Sequence, residues 1–85
     1  MSLTLLYFAR LRETLGTGTE RIEPGPAVSD VAELLDWLRA RGDAWSEELG
    51  PSRSLRIAVN QEMADLATPL SDGDEVALFP PVTGG

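Results

Sequence analysis

The hydrophobic residues of this chain follow two periods, which separate predicted strands from one predicted helix. Residues 3–9 are almost continuously apolar and aromatic, which is typical of a central strand covered on both faces. Residues 55–59 and 75–79 predict further strands, and residues 19–23 and 63–66 predict shorter return strands. The apolar residues that recur instead at helical spacing are Val28, Val31, Leu34, Leu35 and Leu38.

Polar residues and glycines mark the ends of these elements. Ser29 or Asp30 is placed to cap the helix, and Asp30 with Glu33 has the spacing of a capping box. Residues 10–15 and 43–49 each predict a short helical turn bounded by glycine. The sequence therefore predicts one main helix and two short ones.

The order of the elements predicts the fold. The main helix follows two strands and precedes three more, and the last three strands are joined by turns at Asn60-Gln61, with positive φ at Asn60, and at Asp72-Gly73-Asp74. One helix crossing a mixed sheet of about five strands, with the last strand in the interior, is the α+β arrangement of the ubiquitin-like β-grasp fold. We expect a β-grasp domain over residues 1–79 and a flexible, extended Gly-Gly tail over residues 80–85.

Some aromatic residues are left on the face of the sheet that the main helix does not cover. Strand alternation points Phe79 and Phe8 away from the helix. Together with Met63 they predict an exposed apolar patch beside the start of the tail, and such patches often mark partner sites. The alternative is that one of the two short helical turns folds over that face.

The composition argues against several kinds of function. The 85 residues include 14 acidic and 7 basic side chains, all of the latter Arg, and the net charge of −7 repels nucleic acid and anionic membranes. Cys and His are absent, so the usual nucleophiles, general bases and transition-metal ligands are missing. We expect no metal site and no catalysis by the chain alone. No apolar run approaches the roughly 20 residues of a membrane span, and no signal peptide is recognisable, which predicts a cytoplasmic protein.

The last six residues form a stiff stalk with a thin end. Two prolines fix φ near −65° and favour an extended direction, whereas two terminal glycines carry no side chain that would block a narrow channel. At about 3.1–3.3 Å per residue the segment reaches about 20 Å, enough to enter a partner's active site. The alternative is a frayed end without function. The predicted tail residues are Pro80, Pro81, Val82, Thr83, Gly84 and Gly85.

Five stretches together carry a resemblance to a known family. They are LYFA at 6–9, LRE at 11–13, VNQ at 59–61, LSDGDEVA at 70–77 and FPPVTGG at 79–85. In this order they resemble the small, sulfur-carrying subunit of molybdopterin synthase, a MoaD-type member of the ubiquitin-like MoaD/ThiS family. The most specific part is the acidic turn, final strand, double proline and Gly-Gly in succession. A terminal Gly-Gly alone is shared with thiamine-pathway carriers and ubiquitin-like modifiers.

The resemblance implies a carrier that binds no cofactor. An ATP-dependent E1-like enzyme would adenylate Gly85, and a sulfur donor would convert the glycyl adenylate to a thiocarboxylate, 1-thioglycine. The tail would then donate sulfur to a cyclic pyranopterin precursor in the large subunit of molybdopterin synthase, in a heterotetramer. Phe8, Met63 and Phe79 are the expected docking residues. A carrier for thiamine or another sulfur metabolite, a protein modifier, and a β-grasp binding module with an inert terminus remain alternatives.

Overall fold

A computed structural model describes residues 1–50 and 55–80. Within these residues the strands are β1 (Leu3–Tyr7), β2 (Thr19–Ile22), β3 (Arg56–Val59), β4 (Glu62–Ala64) and β5 (Glu75–Phe79). They form one sheet in the order β2-β1-β5-β3-β4, in which β1 and β5 are parallel and the other neighbours are antiparallel. The predicted β-grasp arrangement is therefore confirmed, with the last strand in the middle of the sheet.

The main helix begins where the capping pattern predicts. It is α2 (Val31–Arg39), and the backbone N–H of Glu33 donates to Asp30 Oδ1 at 2.8 Å, so Asp30 is the cap. The Glu33 carboxylate accepts in return from the backbone N–H of Ser29 at 2.9 Å and also from its hydroxyl. Both candidate capping residues thus take part, because together they satisfy backbone donors that have no partner inside the helix.

The core lies between α2 and one face of the sheet. Strand register sets Leu5 beside Val76 and Tyr7 beside Leu78, and all four are buried in one apolar cluster with the helix. Burying each aliphatic side chain of this size contributes about 1.5–3 kcal/mol relative to exposing it. The helix residues of the cluster are Val31, Leu34, Leu35 and Leu38.

Both predicted short helices form, as α1 (Ala9–Leu15) and α3 (Asp43–Glu48). The first ends at Gly16, whose φ of +77° suits glycine and whose N–H donates to the Arg12 carbonyl at 3.1 Å. An ion pair between Arg10 and Glu48, 3.2 Å from Nε to Oε1, joins α1 to α3. Glu48 is buried, and this pairing with an exposed arginine keeps its charge satisfied.

Three predicted strands ran one or two residues too far at their C-terminal ends, and the third strand of the chain was predicted to begin one residue too early, at Leu55 instead of Arg56. The first strand stops at Tyr7 because Ala9 takes a φ of +52° and starts α1. The second ends at Ile22 rather than at residue 23. The fourth is Glu62–Ala64 rather than 63–66, because the Asp65 side chain accepts a hydrogen bond from the backbone N–H of Ala67 and starts a turn.

Candidate functional site

The outer face of the sheet, defined as the face away from α2, carries a row of apolar residues. Register sets Leu6 beside Ala77, Ala77 beside Ala58, and Ala58 beside Met63. Because side chains of paired residues point to the same face, these four residues cross the sheet from β1 to β4. The alternation predicted from the sequence is thus confirmed on both faces.

Two phenylalanines meet at one end of this row. The N–H of Phe8 donates to the Leu78 carbonyl at 3.3 Å, which sets Phe8 alongside the end of β5. Its ring stacks on the Phe79 ring with centroids 4.7 Å apart and planes inclined by 9°. Phe8 nevertheless keeps 40% of its surface exposed. The pair is a flat aromatic surface that solvent or a partner can reach.

Met63 completes the surface that we call the docking patch, namely Phe8, Met63 and Phe79. Met63 is 67% exposed on β4. The alternative in which a short helix covers this face is not what the described residues show. Leu11 of α1 and Leu49 after α3 are buried in the core cluster on the opposite side. The docking patch is therefore apolar and open, and its partner-binding role stays a prediction.

The predicted tail begins at the docking patch. Pro80 follows Phe79 directly and is half-buried. Because β5 pairs with β1 on one side and β3 on the other, the tail starts from the centre of the sheet rather than from an edge. The remaining predicted tail residues, Pro81, Val82, Thr83, Gly84 and Gly85, lie outside the described residues.

Two side-chain hydrogen bonds of Asn60, which the sequence did not predict, hold the other end of β5; we call them the Asn60 clasp. Asn60 Nδ2 donates to Asp74 Oδ1 at 2.9 Å, and Asn60 Oδ1 accepts from the N–H of Glu75 at 3.0 Å. Asp74 also accepts from the Ser71 N–H at 2.8 Å. The predicted φ is confirmed, because Asn60 lies at +50°. Asp74 of the acidic turn is therefore already engaged in hydrogen bonds within the domain. The sequence signal that could have predicted this contact is the presence of both VNQ at 59–61 and DGDE at 72–75.

The ionisable groups with perturbed pKa values belong to the scaffold rather than to the outer face. Burial, followed by the charge and hydrogen bond of Glu20, raises the pKa of Tyr7 above its usual range. Tyr7 donates to Glu20 Oε2 at 3.0 Å, and Arg41 pairs with the same carboxylate at 2.7 Å. The Ser29 hydrogen bonds lower the pKa of Glu33.

The described residues offer little for binding a cofactor. They hold no cluster of three or more acidic, His or Cys side chains placed for a metal ion. Nor does any helix among them have the length and apolar composition to cross a membrane. The described residues instead present an apolar surface, the docking patch, next to Pro80, where the predicted tail begins.

Comparisons with known proteins indicate one family, and the matches cover nearly the whole chain. Residues 5–85 match the model of the ThiS family. The molybdopterin synthase sulfur carrier subunit of Escherichia coli is 41% identical over 83 residues, which cover 98% of this chain and 99% of that relative.

Two solved structures extend the likeness to three dimensions. One is a chain in the complex of subunits 1 and 2 of molybdopterin-converting factor from Helicobacter pylori, with 31% identity and a TM-score of 0.69. The other is the small archaeal modifier protein SAMP1 from Haloferax volcanii, with 34% identity and a TM-score of 0.71. Each comparison covers the whole of both chains.

Proposed function

This chain belongs to the ThiS family, and from that membership we propose that it carries sulfur on its C-terminal Gly85 for molybdopterin synthase. The observation that carries the proposal is the position of β5, which runs through the centre of the sheet and delivers the chain to the docking patch. The end-to-end likeness to a named sulfur carrier subunit supports it. In this proposal residues 1–79 dock and residues 80–85 react.

Loading begins with a poor electrophile. A terminal carboxylate has a pKa of about 3.3–3.7 and is ionised at neutral pH, so it resists attack by a sulfur nucleophile. An ATP-dependent E1-like enzyme activates it: a carboxylate oxygen of Gly85 attacks the α-phosphorus of ATP, and pyrophosphate leaves. Hydrosulfide released by a sulfur donor then attacks the acyl carbon, AMP leaves, and the thiol proton is lost to solvent. The product is a thiocarboxylate, in which one oxygen of Gly85 has been replaced by sulfur.

Donation takes place in the large subunit of molybdopterin synthase. The thiocarboxylate sulfur attacks a carbon of the cyclic pyranopterin precursor, and the oxygen substituent of that carbon leaves as the carbon–sulfur bond forms. Water then cleaves the bond between the sulfur and the acyl carbon, which returns Gly85 to a carboxylate and leaves the sulfur on the precursor. A dithiolene needs two sulfur atoms, so each product consumes two loaded carriers. A heterotetramer with two carriers on two large subunits matches that requirement.

The chain's own residues bind and aim rather than catalyse. Phe8, Met63 and Phe79 dock against the partner, and Pro80 with Pro81 directs the tail. The glycine end passes through a narrow channel because it has no side chain. Acids, bases and oxyanion donors come from the large subunit, which gains its rate by holding the thiocarboxylate close to the precursor.

The decisive experiment follows the mass of the chain. The full chain is incubated with an activating enzyme, ATP and a sulfur source, and its intact mass is measured. We expect a mass increase equal to one oxygen-to-sulfur exchange, located in the C-terminal peptide. The loaded chain, mixed with large subunit and pyranopterin precursor, is then expected to yield dithiolene. A chain that is never loaded would point to an inert β-grasp binding module.

A second function, protein modification, has one observation in its favour: the likeness to SAMP1 over the full length of both chains. Both functions need the same adenylated Gly85, but a modifier transfers the acyl group to an amine. Incubation of the adenylated chain with cell extract separates them. Amide-linked conjugates without dithiolene formation would favour the modifier, and so would failure to support the thiolation of any small metabolite.

A further inference from the structure

Arg56 lies on β3, between Phe79 on β5 and the edge strand β4 that carries Met63. It is the register partner of Phe79 on the neighbouring strand, and it is exposed. It also lines a groove of about 320 Å³ together with Met63 and Leu66. Met63 and Leu66 are among the most exposed large apolar residues described, at 67% and 57%. One cation therefore adjoins both the patch and an apolar groove.

The guanidinium of Arg56 has no ion-pair partner among residues 1–50 and 55–80. Three other arginines, Arg10, Arg39 and Arg41, pair with carboxylates in the same part of the chain. Asp65 also lines the groove, but its Oδ1 accepts from the backbone N–H of Ala67 at 2.9 Å and so holds the local turn. Arg12 and Arg21 also lack an ion-pair partner in this part of the chain, so what distinguishes Arg56 is its place beside Phe79 and the apolar groove.

Docking changes the hydration of the Arg56 guanidinium, and this sets a requirement on the partner surface. When a partner covers the docking patch, water leaves the neighbouring groove and the guanidinium loses hydration. An unpaired charge buried in an interface costs several kcal/mol, whereas an arginine paired with a carboxylate at the rim of an apolar patch favours binding and fixes orientation. A partner evolved for this face has to supply that carboxylate.

We propose that the large-subunit surface that receives the docking patch presents a carboxylate to Arg56 and an apolar side chain to the groove between Met63 and Leu66. This inference rests on the proposed function and extends it by naming the chemistry of the receiving surface. Arg56 acts as a specificity residue for docking. It takes no part in sulfur transfer itself.

The test compares charge reversals at two arginines on the same face. Arg56→Glu is matched by Arg21→Glu, which changes the net charge equally on the outer face of β2, at the far edge of the sheet. Binding of each full chain to the purified large subunit is measured by calorimetry at low and high salt. We expect Arg56→Glu to weaken binding at least about tenfold at low salt, and Arg21→Glu to change it less than about twofold. The difference shrinks at high salt, because the Debye length falls to about 3 Å at 1 M.

A charge exchange identifies the partner group. Single Asp→Lys and Glu→Lys changes across the large subunit are tested with Arg56→Glu, and one of them is expected to restore binding. Equal losses for both arginine variants, or none for Arg56→Glu, would overturn the proposal. Loss of the Arg56 effect when the C-terminal carboxylate of Gly85 is amidated would also overturn it, since the arginine would then serve the chain's own carboxylate. If the unaltered chain does not bind the large subunit, the proposed function itself fails.

Discussion

The ring of Phe8 lies flat against the ring of Phe79, with centroids 4.7 Å apart, although the two residues belong to opposite ends of the chain. Phe8 is the N-cap residue of α1, and Phe79 is the last residue of β5. The stack therefore joins the turn after the first strand to the place where the tail begins. Any partner that holds this pair also fixes the point from which the tail departs.

Replacing either phenylalanine is expected to damage docking more than folding. Phe8→Ala and Phe79→Ala should each weaken binding to the large subunit at least about tenfold, because exposed aromatic anchors dominate interface energies. Loss of the stack should lower the free energy of unfolding by only about 1 kcal/mol. Calorimetric titration and urea unfolding measure the two quantities. Thr19→Ala, on the same face at the β2 edge, is the control, and unchanged binding by Phe79→Ala would remove the docking role.

Deleting Gly85 should separate docking from chemistry. The proposed docking residues lie in the domain, so the shortened chain should unfold at the same urea concentration and bind the large subunit within about threefold of the full chain. Sulfur transfer should fall to background, because the carboxylate that is adenylated now belongs to Gly84 and lies one residue short of the active site. Dithiolene formation is the readout. Full synthase activity in the shortened chain would refute the carrier mechanism.

The Asn60 clasp makes a prediction about stability. Asn60→Ala loses both side-chain hydrogen bonds and must hold a φ of +50°, whereas Asn60→Gly loses the bonds without the backbone strain. We expect the alanine variant to be less stable than the glycine variant by about 1 kcal/mol. Urea unfolding of both variants measures the difference. Equal stability would mean that the positive φ at Asn60 costs nothing.

The single tyrosine should titrate only when the fold is lost. Burial raises the pKa of Tyr7 above its ordinary value of 10.0, and the charge and hydrogen bond of Glu20 raise it further. A raised pKa favours the neutral phenol in the folded state. The stabilisation is therefore complete below pH 10.0 and is lost as the pH rises towards the folded-state pKa.

Absorbance of the phenolate, followed alongside tryptophan fluorescence, tests this coupling. The phenolate band should appear together with the unfolding transition, at a pH above 10.0. Tyr7→Phe, which removes the ionisable group and leaves Glu20 paired with Arg41, should resist alkaline unfolding better than the unaltered chain. A phenolate signal near pH 10.0 with native fluorescence would contradict the burial argument.

Most secondary structure could be predicted because its causes are local. The apolar spacing in α2, the Asp30 cap and the positive φ at Asn60 each depend on residues within one or two turns of chain. Strand ends were less predictable. The turn after β1 depends on the backbone of Ala9, and the end of β4 depends on the Asp65 side chain, and neither has a strong sequence signal.

The candidate site could be predicted in part. Alternation in β1 and β5 was enough to put Phe8 and Phe79 on the outer face, and Met63 followed from the β4 pattern. The sequence left open whether a short helix covers that face. The answer came from Leu11 and Leu49, which pack into the core on the α2 side. Which face a short amphipathic segment joins depends on contacts distant in sequence, and no periodicity encodes them.

The sequence by itself determined the strands, the main helix, the two-sided division of apolar residues and the family to which the chain belongs. Only the tertiary structure decided that Phe8 stacks on Phe79, that Asn60 clasps Asp74, and that Arg56 faces the docking patch without a carboxylate among the described residues. The physical reason is the range of the interactions. Turns, caps and alternation are set by neighbours in the chain. The aromatic stack exists only after β1 pairs with β5, and the contacts of Asn60 and Arg56 exist only after β3 pairs with β5.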